Sequence, residues 1–194
     1  MTTTATLVGA TRPLTRTEAR GLAATENQRV LEQLRTLDAT DWSKPTDCAA
    51  WDVRALVAEA GPRSARWRNR VPSPFRLIPM KQEVGGVEET WRMGYLLDIV
   101  LTRDTWMHRV DIARATDRDL ALTPGHDGRI VADAVGEWAR RLGRPFTLEL
   151  TGAAGGTFAA GTDGENLTFD AIEFCRLLSG RDASRGVLDT EVPF

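Results

Sequence analysis

Apolar residues recur at helical spacing in four stretches of the chain, and the last fifty residues switch to alternation. Leu22, Val30, Leu31, Leu34 and Leu37 mark one face of a first helix over 15–38, which no proline interrupts. After the turn-rich DWSKPTDCAAW, Asp52 offers an N-cap to a short helix over 53–60 that Gly61 and Pro62 stop. Its inward stripe is Val53, Leu56, Val57 and Ala60, with Glu59 at the edge. Residues 62–81 hold Pro62, Pro72, Pro74 and Pro79 among arginines and Lys81, with no acidic residue, which predicts a basic loop with at most one helical turn around 65–69. From Val87 to about Ala115 a proline-free periodic pattern predicts one long helix. Pro124 opens a fourth helix over 127–142, with Ile130, Val131, Ala134, Val135 and Trp138 inward and Gly143 as its stop.

Beyond Gly143, PFTLELTG alternates apolar and polar, GGTFAAG follows a Gly-rich turn, and 166–168 adds a short third strand before a helix over 169–179. The expected architecture is mainly α, a helical bundle over 1–143 with a small α+β lobe over 144–194. A length of 194 residues suits one main domain with such an appendage.

Composition removes some function classes. Lys and Arg number 25 against 27 Asp and Glu, so the chain as a whole shows no sign of a nucleic-acid or membrane partner. Two distant cysteines, Cys48 and Cys175, need no disulfide framework. The N-terminus lacks a basic stretch followed by an apolar one, and no apolar run reaches the roughly 18 residues a membrane span needs. A reduced, cytoplasmic protein is expected.

The chemistry concentrates in RDTWMHRVDI, 103–112. At 100° per residue with Asp104 at zero, His108 falls at about 40° and Asp111 at about 340°, on the stripe that Met93, Leu97 and Leu101 make apolar in earlier turns. If that stripe faces the core, two carboxylates and an imidazole are buried, and an ionised carboxylate there must be paired, protonated or bound to a cation. Side chains at i and i+4 stand about 5–6 Å apart at Cβ, so Asp104 and His108 can reach one metal ion, with Glu59 the best placed third ligand. The alternative is structural: His108 is simply hydrogen-bonded, and Asp111 pairs with an arginine.

DWSKPTDCAAWDVRALVAEAG (41–61) and TRDTWMHRVDIARATDR (102–118) together resemble the two signature stretches of the mycothiol-dependent maleylpyruvate isomerase family, within the DinB-like metalloenzyme superfamily. The ending FCRLLSGR…EVPF is similar to that family's small C-terminal lobe. The resemblance implies a DinB-like four-helix bundle with a divalent metal, usually zinc, held by one residue of the second helix and a pair four apart on the third. Those positions are Glu59, Asp104 and His108. It also implies a low-molecular-weight thiol such as mycothiol as cofactor or co-substrate, for isomerisation or S-transfer on a small anionic molecule. Asp111, on the same polar face, is the candidate orienting or acid/base group. The family's second-helix ligand is typically His, and its acidic partner often Glu or His. With Glu59 and Asp104 in those places the donor set is harder, so zinc binds less tightly and Mn, Fe or Mg come into range.

Arg176 and Arg181 are candidate anion-binding residues of the C-terminal lobe, and the basic loop is a candidate cover for the pocket. His126 reads as a capping or surface residue, Cys48 as a structural thiol, and TGAAGG as a hairpin turn. Trp91 and Trp106 point away from the polar face, against other helices or an interface, which leaves a homodimer open. Two rival functions keep the scaffold: a metal-free isomerase or cyclase of a specialised pathway using the buried acids, and a non-catalytic binding protein with a decayed metal site.

Overall fold

The computed structural model describes residues 6–7, 12–60, 71–183 and 186–194, without the side chains of 6, 59 and 60. In chain order these form β1 (Thr6–Leu7), α1 (Arg16–Leu34), α2 (Val53–Ala60), β2 (Pro79–Val84), β3 (Val87–Arg92), a long helix α3 over 93–116, α4 (Asp127–Leu142), β4 (Phe146–Thr151), β5 (Gly156–Ala160), β6 (Glu165–Asp170) and α5 (Ala171–Leu178). The architecture is mixed α and β with a large helical part. Contacts divide it into two compact units, one of 15–120 with Pro193 and Phe194, the other of the described residues before Thr15 with 121–192. α4 therefore belongs with the later strands, where periodicity had grouped it with the helices before it.

In the first unit, α1 begins at a capping box: the Thr15 hydroxyl accepts from the Glu18 N–H, and the Glu18 carboxylate accepts from the Thr15 N–H. α1 buries Ala19, Ala23 and Glu26, and the Glu26 carboxylate accepts from Arg109 Nε of α3 at 2.5 Å. α2 starts where expected, with Asp52 accepting from the Ala55 N–H at 2.8 Å. Val53, Leu56 and Ile112 form a buried cluster with Leu34, Leu37, Trp42, Cys48 and Trp51 packed round it. Of the expected basic loop over 62–81, residues 62–70, including the expected turn at 65–69, lie outside the described residues, while Ser73–Leu77 is a 3₁₀ turn whose Arg76 is buried against Asp98.

The predicted helix from Val87 is overturned over its first six residues. These form β3, paired antiparallel with β2 from Val84↔Val87 to Pro79↔Arg92. Gly85 and Gly86 both take positive φ, 54° and 76°, which is what a two-residue hairpin turn matched to strand twist requires. Val87, Thr90 and Trp91 are strand-favouring residues on a short edge. Trp91 thus sits on a strand, edge-on to Tyr95, and Trp106 is buried in α3. α3 has a π-helical segment, Leu96–Val100, then runs as an α-helix to Thr116 and closes with Asp117 in the left-handed region.

In the second unit the sheet order is β1-β5-β4-β6, with β4 antiparallel to β5 and parallel to β6, and β1 parallel to β5. The inward residues predicted for α4 are all buried. Trp138 packs edge-on against Phe146 and Phe174 and donates its indole N–H to the Val187 carbonyl at 3.1 Å. The last helix begins two residues later than expected, because Phe169 and Asp170 end β6 and Asp170 caps α5. Among the described residues no helix is long and apolar enough to cross a membrane.

Candidate functional site

α3 is buried on most of its surface between Thr102 and Ala113, so its polar residues are enclosed. Three successive turns bring Asp104, His108 and Asp111 together, as their spacing predicted. His108 Nε2 lies 3.1 Å from Asp104 Oδ1, and Nδ1 lies 3.2 Å from Asp111 Oδ2. His108 is 5% exposed and the Asp111 side chain fully enclosed, whereas the Asp104 side chain is 27% exposed. The ring thus runs from a closed end at Asp111 to an open one at Asp104.

Cys48 joins the closed end from the loop before α2. In that loop the Thr46 hydroxyl donates to the Trp51 carbonyl at 2.8 Å and accepts from the Cys48 N–H at 3.2 Å. The Trp51 N–H donates back to the Cys48 carbonyl, and a bridge between Pro45 and Asp52 closes the turn. Thr46 and Asp52 fit this because short polar side chains bond neighbouring backbone in turns and caps. The Cys48 thiol therefore donates to Asp111 Oδ2 at 3.6 Å, the oxygen that also faces His108, and the Trp51 ring stands 6.1 Å from the imidazole. The donor atoms of Cys48, His108 and Asp111 all lie within 4.8 Å of one another. Cys48, read as a structural thiol, is thus part of the site. Its partners are more than fifty residues away, so spacing carried no signal of it.

Burial works against a charged ring, but hydrogen bonds to Asp104, Asp111 and Cys48 outweigh it and push His108 from 6.5 up to about 11. His108 is accordingly an imidazolium at neutral pH, both ring nitrogens donating. Asp111 Oδ2 thus accepts from both His108 and Cys48.

Glu59 has its backbone in α2, and its side chain lies outside what is described. Arg176 and Arg181 belong to the other unit; Arg176 is buried, its guanidinium donating to Glu173 at 2.6 Å, and Arg181 follows α5. His126 is buried at the N-cap of α4 without capping it, contrary to the capping or surface expectation; Asp127 accepts from the Thr123 N–H instead. A cavity of about 560 Å³, lined by Lys44, Pro45, Asp47, Arg114, Ala115 and Asp117, opens one turn past Asp111.

Comparison of the chain with protein-family models, curated proteins and solved structures finds no match.

The donor chemistry fits a divalent cation on the open side. Bonds of about 2.0–2.2 Å at a tetrahedral angle place imidazole and carboxylate donors about 3.3 Å apart, close to the Asp104–His108 separation. Asp111 on the other nitrogen is the carboxylate that commonly orients a ligating histidine. A metal must then displace the Nε2 proton.

Proposed function

We propose that this chain is a divalent-metal-dependent, thiol-dependent isomerase or S-transferase acting on a small anionic molecule. On this reading it is a DinB-like protein similar to the maleylpyruvate isomerases, with α2 and α3 as the helices that carry the ligands. The observation that carries it is one buried imidazole held by Asp111 at Nδ1 while Nε2 stands beside the more open Asp104.

Asp104 and His108 are the ligands on α3, and Glu59 on α2 is the third. A bound divalent ion supplies a Lewis acid that lowers the pKa of a low-molecular-weight thiol such as mycothiol. The thiolate adds to one carbon of a cis double bond, the resulting single bond rotates, and expulsion of the thiolate leaves the trans isomer with no net oxidation. Asp111, fully enclosed, is a positioning residue: it holds the Nδ1 proton and so fixes the face that His108 presents. Lys44 and Arg114, which line the cavity, are cationic groups suited to hold the anion.

Metal analysis of protein purified without chelator tests the reading. One divalent ion per chain, lost in His108→Ala and needed for thiol-dependent isomerisation of a cis-unsaturated carboxylate, is expected. Native protein free of metal sinks it.

The imidazolium clamped by two carboxylates favours a second reading, because that arrangement is self-sufficient. Here His108 and its acids act as general acid and base without a metal, and turnover with an unchanged pH profile in EDTA distinguishes it. A binding protein with a decayed site predicts neither metal nor turnover.

A further inference from the structure

We propose that Cys48, His108 and Asp111 form a site for a thiophilic divalent cation such as zinc or cobalt(II), on the ring nitrogen opposite the one used in the isomerase reading. The three come from two elements of one unit: the loop before α2 supplies the thiol, and α3 the imidazole and carboxylate. Asp111 Oδ2 lies 3.2 Å from His108 Nδ1 and 3.6 Å from Cys48 Sγ. Zinc bonds of about 2.0–2.3 Å at a tetrahedral angle separate nitrogen and oxygen donors by about 3.3 Å and sulfur and oxygen donors by about 3.6 Å, so both edges that meet at Asp111 match a tetrahedral site, and the third edge, from Sγ to the imidazole, is within 4.8 Å.

Charge favours the same conclusion. A 2+ ion that replaces the protons on Sγ and Nδ1 meets a thiolate, a carboxylate and a neutral imidazole, leaving the enclosed group uncharged. The Nε2 proton remains and donates to Asp104, the outer carboxylate that steadies a ligating ring. The two assignments exchange the roles of Asp104 and Asp111, and they share one imidazole. Donor softness separates them: sulfur and nitrogen select thiophilic ions, while Glu59 and Asp104 favour harder ones. The site needs no turnover and does not rest on the isomerase reading; because Nε2 keeps its proton here, an ion held at Nδ1 excludes one held at Nε2.

Cobalt(II) alone, titrated into the reduced full chain and followed by absorption, is the test. A sulfur-to-cobalt charge-transfer band in the near ultraviolet is expected, unchanged in Glu59→Gln and Cys175→Ser. It should be lost in Cys48→Ser, with binding weakened by roughly tenfold or more. Circular dichroism checks that variant; if it fails to fold, X-ray absorption on the cobalt-loaded wild-type chain decides, one sulfur at about 2.3 Å supporting the site. Cobalt bound through nitrogen and oxygen alone, and weakened by Glu59→Gln, overturns this site and upholds the isomerase ligand set. Absence of any cobalt binding overturns both.

Discussion

With a carboxylate at each ring nitrogen, His108 titrates as the centre of a three-member chain rather than as a single side chain. Its pKa in the folded protein is raised from 6.5 to about 11, so the stability this clamp gives is fully present below 6.5 and is lost as pH climbs towards 11. In metal-stripped protein, nitrogen NMR should find both ring nitrogens protonated at pH 8. The stability lost in His108→Gln, read from urea unfolding, should be largest near pH 6 and shrink by pH 10. Asp41 shows the opposite sign: hydrogen bonds from Lys44 and Arg118 hold its carboxyl below the usual 3.8. Asp41→Asn should therefore destabilise the fold at pH 7, and the deficit should fade as acid protonates the wild-type carboxyl. The α3 members of the site were legible because helical spacing alone places them on one face. Cys48 was not, since only the Thr46–Trp51 turn and the packing of α2 bring it to Asp111.

Existence of helices was easier to read than their faces or their ends. α1 was recognisable, yet Leu31, assigned inward, is 44% exposed, and the helix instead buries two alanines and Glu26. The reason is Arg109, a cation enclosed in α3 that draws a carboxylate inward where a leucine was expected. Glu26→Ala should cost about 3–5 kcal/mol in chemical denaturation, because it leaves the guanidinium without this carboxylate in an enclosed place. At the other end of α1, Thr15→Ala removes the capping hydroxyl and should cost about 1 kcal/mol. The β2–β3 hairpin was missed because VEETWR also fits a helical period; the paired glycines before it were the better guide.

For the molecule as a whole, alternation after Gly143 correctly announced three strands, while β1 escaped notice because two residues carry no period. The grouping of α4 with the sheet was not legible either, since an amphipathic stripe says that a helix packs but not on what. A near-zero net charge adds nothing to that choice. Ligand linkage acts on the entire folded state. If a divalent ion binds at His108 by either set of donors, a concentration of 100 times its Kd should stabilise the chain by about 2.7 kcal/mol, seen as a higher melting temperature than in EDTA. His108→Ala should melt at the same temperature with and without the ion.

The π-helical segment Leu96–Val100 lies between the hairpin and the site. A wider turn of this kind is what one inserted residue leaves in a helix. The wide turn absorbs its extra residue, so deleting one residue there should restore regular winding with the flanks near their present phase, whereas adding one more would turn everything before it by about 100° relative to Asp104 and His108. The wide turn is therefore slack held in the helix: along this stretch the chain should tolerate the loss of one codon better than the gain of one.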